Sequence, residues 1–247
     1  MDIPQPPPLP PAMGHRGARG HAPENTMAGL RKAAELGCRW VEFDVKLTAD
    51  GELILFHDNT LERTTDGKGA VADKSLAEMR SLDAGRWFSP DFTGEAVPTL
   101  DEAMAFLAAR GIGANVEIKA STGREAETGA AVARALSGRW MGGPLPPFMC
   151  SFSAESLIAA RQAAAQIPRA LLSLKFPRDW PARLEQLGCA AFHVLHRRLN
   201  EARVGAIRAQ GYRVLAFTVN DTVRAAELLG WGVESIITDY PERILAG

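Results

Sequence analysis

Strand-like apolar runs and helix-like amphipathic runs alternate along almost the whole chain, and this alternation restricts the fold more than any other feature. The strand-like segments are residues 12–16, 39–47, 53–57, 113–119, 147–152, 170–174, 191–195, 213–219 and 235–238. Helical patterns fall between most of them, at 26–36, 100–110, 124–137, 154–164, 179–187, 200–210 and 221–229. Two helix starts have capping-box spacing, Ser75 with Glu78 and Thr99 with Glu102. The exception is the step from 39–47 to 53–57, where Thr48-Ala49-Asp50-Gly51-Glu52 leaves no room for a helix and Asp-Gly signals a hairpin. The second strand is therefore expected to overshoot, turn and return. A turn centred on Asp50-Gly51 puts Asp44 opposite His57. Without that excursion eight strands remain, the count of an α/β fold of the closed (β/α)8 TIM-barrel type. A length of 247 residues, 46% of them hydrophobic, suits one such barrel.

Residues 58–98 break the alternation. They are rich in Asp, Gly, Thr and Arg, with one short helical stretch near 75–80 and the aromatics Trp87, Phe88 and Phe92. Some forty residues are too many for a plain loop, so a small insertion on the site-bearing face, a substrate cap, is expected. Residues 1–11 are proline-rich and are expected to form a solvated polyproline II tail, with the barrel over 12–247. The start lacks a basic segment followed by a continuous apolar stretch, so a signal peptide is not expected. No apolar run approaches the ~20 residues needed to span a bilayer, so no integral membrane segment is expected. A formal net charge of -1 gives no footprint for nucleic acid. Cys38, Cys150 and Cys189 are scattered, which reads as free buried thiols in a reducing cytoplasm. Nothing in the sequence reports an oligomeric state.

Chemistry in such barrels sits at the C-terminal ends of the strands, and polar residues gather there. In Trp40-Val41-Glu42-Phe43-Asp44-Val45-Lys46, residues two apart share a face, so Glu42 and Asp44 point the same way. Glu117 and Lys119 do the same in Asn115-Val116-Glu117-Ile118-Lys119. Carboxylates facing inward from two buried strands need a partner, and one divalent cation, Mg²⁺ or Ca²⁺, suits three hard oxygen donors from Glu42, Asp44 and Glu117. Strand one ends Met13-Gly14-His15-Arg16-Gly17 and the excursion ends His57-Asp58. Arg16 and Lys119 suit an anion such as phosphate, which amides of the Gly-flanked backbone are expected to approach. His15 and His57 titrate near neutrality and suit a general acid and base. Glu24 and Asn25 are expected to brace the His15-Arg16 loop or cap the helix after it.

Each element has a plainer reading. His-Arg-Gly fits a turn with a surface arginine, Glu-x-Asp a solvated strand face, and Glu117 with Lys119 a structural pair. Three such coincidences at successive strand ends weigh against the plain readings taken together. For His193 and His196 the plain reading is preferred: a core or rim histidine and a surface histidine.

The ordered series His15-Arg16-Gly17, Pro23-Glu24-Asn25-Thr26, Val41-Glu42-Phe43-Asp44-Val45, Phe56-His57-Asp58, Leu61-Glu62-Arg63-Thr64-Thr65 and Val116-Glu117-Ile118-Lys119 resembles the glycerophosphodiester phosphodiesterase family. So do Leu82-Asp83-Ala84-Gly85, Val97-Pro98-Thr99-Leu100, Ser151-Phe152, Phe217-Thr218-Val219-Asn220 and Ile236-Ile237-Thr238-Asp239-Tyr240-Pro241. The resemblance spans roughly residues 12 to 245. It implies a TIM barrel with an insertion after the His-Asp motif and metal-dependent hydrolysis of small glycerophosphodiesters, such as glycerophosphocholine, to glycerol 3-phosphate and an alcohol. By match it implies His15 and His57 as acid and base, Glu42, Asp44 and Glu117 as metal ligands, and Arg16 and Lys119 at the phosphate. The chain departs from the pattern at Phe217, where many members carry tryptophan beside the glycerol moiety, and at Glu234-Ser235, where many carry Asp-Gly. The nucleophile is left open between water and the glycerol 2-hydroxyl. Two other readings stay in competition: a Schiff-base lyase of the aldolase type using Lys119, and a non-catalytic phosphate-binding barrel.

Overall fold

Eight parallel strands close on themselves. They are β1 (Ala12–His15), β2 (Trp40–Leu47), β4 (Gly113–Ile118), β5 (Phe148–Ser151), β6 (Arg169–Ser173), β7 (Ala191–Leu195), β8 (Arg213–Phe217) and β9 (Ser235–Thr238), with β3 (Leu53–Leu55) added antiparallel to β2. Closure is made by β1, which pairs with β2 on one side and β9 on the other. This computed structural model describes residues 3–141 and 145–245. The helices are α1 (Met27–Glu35), α2 (Leu76–Arg80), α3 (Leu100–Ala108), α4 (Glu125–Arg139), α5 (Ala154–Ala163), α6 (Trp180–Leu187), α7 (Glu201–Ala209), α8 (Thr222–Gly230) and α9 (Glu242–Leu245). Both expected capping boxes are present, Ser75 with Glu78 on α2 and Thr99 with Glu102 on α3.

The strand pleat sorts side chains into two layers. Trp40 packs inside the barrel with Met13, Phe148, Cys150, Ala170, Leu172, Ala191 and Leu215. The alternate residues Val41, Phe43 and Val45 face outward into a cluster with Leu30, Leu107 and Val132 of the surrounding helices. Glu42 and Asp44 thus share the inward face with Trp40, and all eight residues of β2 are buried. That is why the barrel interior turns from apolar to polar on approaching its C-terminal end.

The hairpin forms, but one register away from the expectation. Val45 pairs with Leu55, Lys46 with Ile54 and Leu47 with Leu53. The Phe56 amide donates to the Asp44 carbonyl at 3.1 Å, so Phe56 and not His57 lies across from Asp44. The turn is five residues long and centres on Asp50. Thr48 holds it: its amide donates to the Glu52 carbonyl at 3.0 Å and its hydroxyl to Asp50 Oδ1 at 2.6 Å. His57 therefore leaves the ladder and stands half-buried at the rim.

Two further expectations change. Segment 58–98 builds an apolar cluster of its own, with Leu61, Val71, Met79, Ala84 and Val97 packed on Ile54 and Phe56. Trp87 is exposed, but Phe88 and Phe92 are half-buried, joined edge to face. The proline-rich segment is only partly solvated: Gln5, Pro8 and Pro11 are exposed, but the segment lies against the barrel. Residues 1 and 2 lie outside the described residues, but Pro6 is buried and Leu9 packs against the barrel's interior cluster. Polyproline II geometry leaves carbonyls free, and the Arg213 guanidinium donates to those of Pro6 and Pro7. Glu234 accepts from Arg213 and from the Leu9 amide, so the strap closes the N-terminal mouth of the barrel.

Candidate active site

A cavity of about 580 Å³ opens at the C-terminal end of the strands. One wall carries His15, Arg16, Glu42, His57, Glu117 and Lys119; the opposite wall, from β5 to β9, is mainly apolar, with Phe152, Leu172, Leu174 and Phe217. Phe217 meets Phe152 edge to face at 5.8 Å between centroids. Among the described residues none of segment 58–98 lines this cavity, so the insertion flanks the site and does not cap it. Its apolar side chains pack with one another and on Ile54 and Phe56 of the hairpin instead.

Glu42, Asp44 and Glu117 offer oxygens that lie within 4.8 Å of one another, all three buried. Burial and mutual repulsion act strongly here. Glu42 is pushed well above the usual carboxylate range by burial and by Asp44 and Glu117. Glu117 rises to about 7 by burial and by Asp44, against the pull of Lys119. Asp44 goes the other way, to about 2: burial opposes its charge, but Arg16, His57 and Lys119 overcome burial. A hard, all-oxygen donor set whose members repel one another fits a divalent cation.

The cations are placed to serve this cluster. Arg16 Nη1 donates to Glu24 Oε1 at 2.6 Å, and its Nε is 3.1 Å from Asp44 Oδ2. Lys119 Nζ donates to Glu117 Oε1 at 2.7 Å and is 3.8 Å from Asp44 Oδ1. Burial pulls the Lys119 ammonium down, but Glu117 and Asp44 outweigh burial and lift it above its ordinary value. The Arg16 amide donates to Glu42 Oε2 at 3.1 Å and the Gly17 amide to the Glu42 carbonyl at 3.2 Å. Those amides are thus committed to Glu42 and do not face a bound anion. The glycines answer a packing need instead. Gly17 has φ +88, and a Cβ there would lie 2.6 Å from the Gly29 backbone.

Among the described residues, Arg16 and Asn25 are the non-glycine residues with positive φ, at 49 and 54, and both stand at the site. Asn25 Nδ2 donates to Asp44 Oδ2 at 2.9 Å, and the Asp44 amide donates back to Asn25 Oδ1 at 3.1 Å. Thr26, not Glu24 or Asn25, caps α1, through its hydroxyl to the Gly29 amide. Glu24 and Asn25 therefore brace the loop after β1.

Both histidines are held at Nδ1 by a carboxylate whose role local sequence does not reveal. His15 Nδ1 meets Asp239 Oδ1 at 2.6 Å, and His57 Nδ1 meets Asp58 Oδ1 at 2.5 Å. An ionised carboxylate accepts a hydrogen bond from Nδ1–H and so keeps the ring proton there, leaving Nε2 as the free nitrogen. His15 Nε2 lies 3.9 Å from Glu42 Oε2. Burial lowers both imidazoles below their ordinary value, offset in part by Asp239 for His15 and by Asp44 for His57. Asp58 was visible as the residue after His57, and Asp239 as the polar residue that ends a strand in Ile236-Ile237-Thr238-Asp239. His193 is fully buried inside the barrel, edge to face with Phe148. His196 is no plain surface residue: half-buried, it lines the cavity beside Arg197.

With that geometry in hand, a family model described as the glycerophosphoryl diester phosphodiesterase family matches residues 15–243. A glycerophosphodiester phosphodiesterase of Bacillus subtilis (strain 168) is 32% identical over 93% of this chain and 83% of its own length. One from Caldanaerobacter subterraneus subsp. tengcongensis is 31% identical over 94% of this chain and 95% of its own. The structure of an Oleispira antarctica phosphodiesterase in complex with the product sn-glycerol-3-phosphate superposes with a TM-score of 0.93, 40% identity and 96% of each chain covered.

Proposed function

The chain belongs to the glycerophosphoryl diester phosphodiesterase family, and from that premise we propose a single-cation mechanism for hydrolysis of glycerophosphodiesters to sn-glycerol 3-phosphate and an alcohol. The observation that carries the cation is the convergence of Glu42, Asp44 and Glu117 within 4.8 Å on one wall of the cavity. These three residues would hold Mg²⁺ or Ca²⁺, whose bound charge polarises a phosphoryl oxygen or acidifies an attacking hydroxyl. Arg16 and Lys119 orient the phosphate from the same wall. His15 and His57 each present Nε2; one accepts the nucleophile's proton and the other, protonated, delivers a proton to the leaving alkoxide. Phe217, Phe152 and Leu172 shield the reacting centre from water on the far side.

The charged state of Lys119 disfavours the lyase reading. Schiff-base chemistry needs an uncharged amine, and the 2.7 Å contact with Glu117 holds the ammonium. For location, we favour the cytoplasm: Cys38, Cys150 and Cys189 are free and buried, and among the described residues no helix is long and apolar enough to cross a membrane. A partner in nucleic acid finds no support in the net charge of -1.

The test is release of glycerol 3-phosphate from glycerophosphocholine and from glycerophosphoglycerol with Mg²⁺ or Ca²⁺ present. Chelation with EDTA, His15→Ala and His57→Ala should each abolish it. Turnover that survives complete chelation overturns the cation mechanism. Single-turnover hydrolysis in ¹⁸O-labelled water, with a search for a cyclic phosphate, separates attack by water from attack by the glycerol 2-hydroxyl.

A further inference from the structure

Arg63 lies outside the cavity wall, in the insertion, yet it is the hub of a polar chain that reaches both imidazoles. Its Nε donates to Asp58 Oδ2 at 2.5 Å and its Nη2 to Asp58 Oδ1 at 3.0 Å. Its Nη1 and Nη2 also donate to Glu24 Oε2 and Oε1 at 2.9 and 2.8 Å. Glu24 is 4% exposed and accepts from two more guanidiniums, Arg16 at 2.6 Å and Arg19 at 3.0 Å. Arg19 Nη1 in turn lies 3.9 Å from Asp239 Oδ1, the oxygen on His15. Asp239 is fixed from its other side by Asn220 Nδ2 at 2.8 Å.

We infer that Arg63 is a positioning residue: its fork clamps Asp58 to Glu24, so the loop that carries His57 and the loop that carries His15 are set relative to each other through Arg63–Glu24–Arg19–Asp239. His57 stands two residues past Leu55, the last paired residue of β3, with no ladder hydrogen bond of its own to aim it. Its orientation rests on Asp58, and Asp58 is held in turn by Arg63. A guanidinium has five donors in a rigid plane and here serves two carboxylates in bidentate fashion, which an ammonium cannot reproduce. This gives the insertion a role at a site it does not line. The inference rests on the reading of His15 and His57 as the acid–base pair.

The test uses the full chain and two readouts. Long-range ¹H–¹⁵N spectra of the imidazoles report the tautomer of each histidine without any substrate, with the interior His193 as an internal control. In the wild type, His57 should be a single tautomer protonated at Nδ1. In Arg63→Gln it should become a tautomeric mixture while His193 is unchanged. Steady-state kinetics should then show kcat lower by roughly 10–100-fold, the range for lost outer-shell partners, with KM for the diester little altered. Arg63→Lys keeps the charge and protects folding, but it should recover neither the single tautomer nor kcat. An unchanged His57 tautomer in Arg63→Gln overturns the inference. So does full rescue by lysine, which would show that charge alone suffices. The tautomer readout needs no turnover, so it stands even if the diester proves not to be the substrate. Loss of kcat without a tautomer change would likewise sink the positioning role and leave the hydrolysis intact.

Discussion

Glu24 shows how much one buried carboxylate can organise. It was legible in Pro23-Glu24-Asn25-Thr26 as a brace, but nothing in that segment announces that three arginines from two loops converge on it. Burial opposes its charge, yet Arg63, Arg16 and Arg19 hold it at about 2, below its ordinary 4.5. The sign follows from the depressed value. The stabilisation is fully present above pH 4.5 and is lost as pH falls from there towards 2. With Arg63 partly exposed and screened, the amount is of the order of 2–3 kcal/mol. Urea unfolding at pH 5 and pH 2.5 should show that extra loss in the wild type, and Glu24→Gln, already lacking the charge, should lose less over the same interval. Asn25 makes the same point at smaller range. Its positive φ and its two hydrogen bonds with Asp44 exist only because the loop after β1 folds back over β2.

The elements themselves were largely readable. The segments expected at 235–238 and 113–119 match β9 and β4 closely, because their apolar runs are bounded by turn residues or by the polar site. The β2–β3 hairpin was readable in existence but not in register. The sequence centres the turn on Asp50-Gly51, whereas the Thr48 hydroxyl, bonded to Asp50 and to the Glu52 amide, builds a five-residue turn centred on Asp50 alone. One residue of shift changes which side chain faces Asp44. The N-terminal strap was misread for a related reason: a proline-rich run has no periodicity to declare what it covers. Arg213 and Glu234 declare it, and they come together only when β8 and β9 pair. Removal of residues 1–11 should therefore uncover Leu9's place on the interior cluster and leave the Arg213 and Glu234 contacts unmade. The expected cost is about 2–4 kcal/mol, by loss of one buried leucine and several hydrogen bonds, with KM for the diester unchanged. A truncated chain melting like the full one would show that the strap is not structural.

At the scale of the molecule, the polar wall at one end of the barrel gathers mutually repelling acids, a source of strain that a bound cation would relieve. Glu42 and Glu117 are both pushed up, first by burial and then by the acidic neighbours they face. Binding of a cation to the folded chain alone stabilises it by mass action, about 2.7 kcal/mol at a hundredfold excess over the dissociation constant. Addition of Ca²⁺ or Mg²⁺ should thus raise the melting temperature of the wild type. The double variant Glu42→Gln, Glu117→Gln should show no such rise and should, if it folds, melt above the metal-free wild type, since two repelling buried acids become neutral. An equal cation-induced rise in both proteins would remove these residues from the metal site. This prediction needs no substrate and is read by calorimetry.

The sequence by itself determined the number and order of strands, the inward face shared by Glu42 and Asp44, and the presence of His15, His57, Glu117 and Lys119 at strand ends, because these follow from local periodicity. Only the tertiary structure decided which carboxylate orients each imidazole, where His57 stands relative to Asp44, and that a guanidinium of the insertion clamps the loops together. The longest of those contacts joins His15 to Asp239, 224 positions apart, and arises when the closing of the barrel brings β1 against β9; that between Arg63 and Glu24 joins the insertion to the loop after β1. Periodicity along a strand carries no information about what lies across the ring.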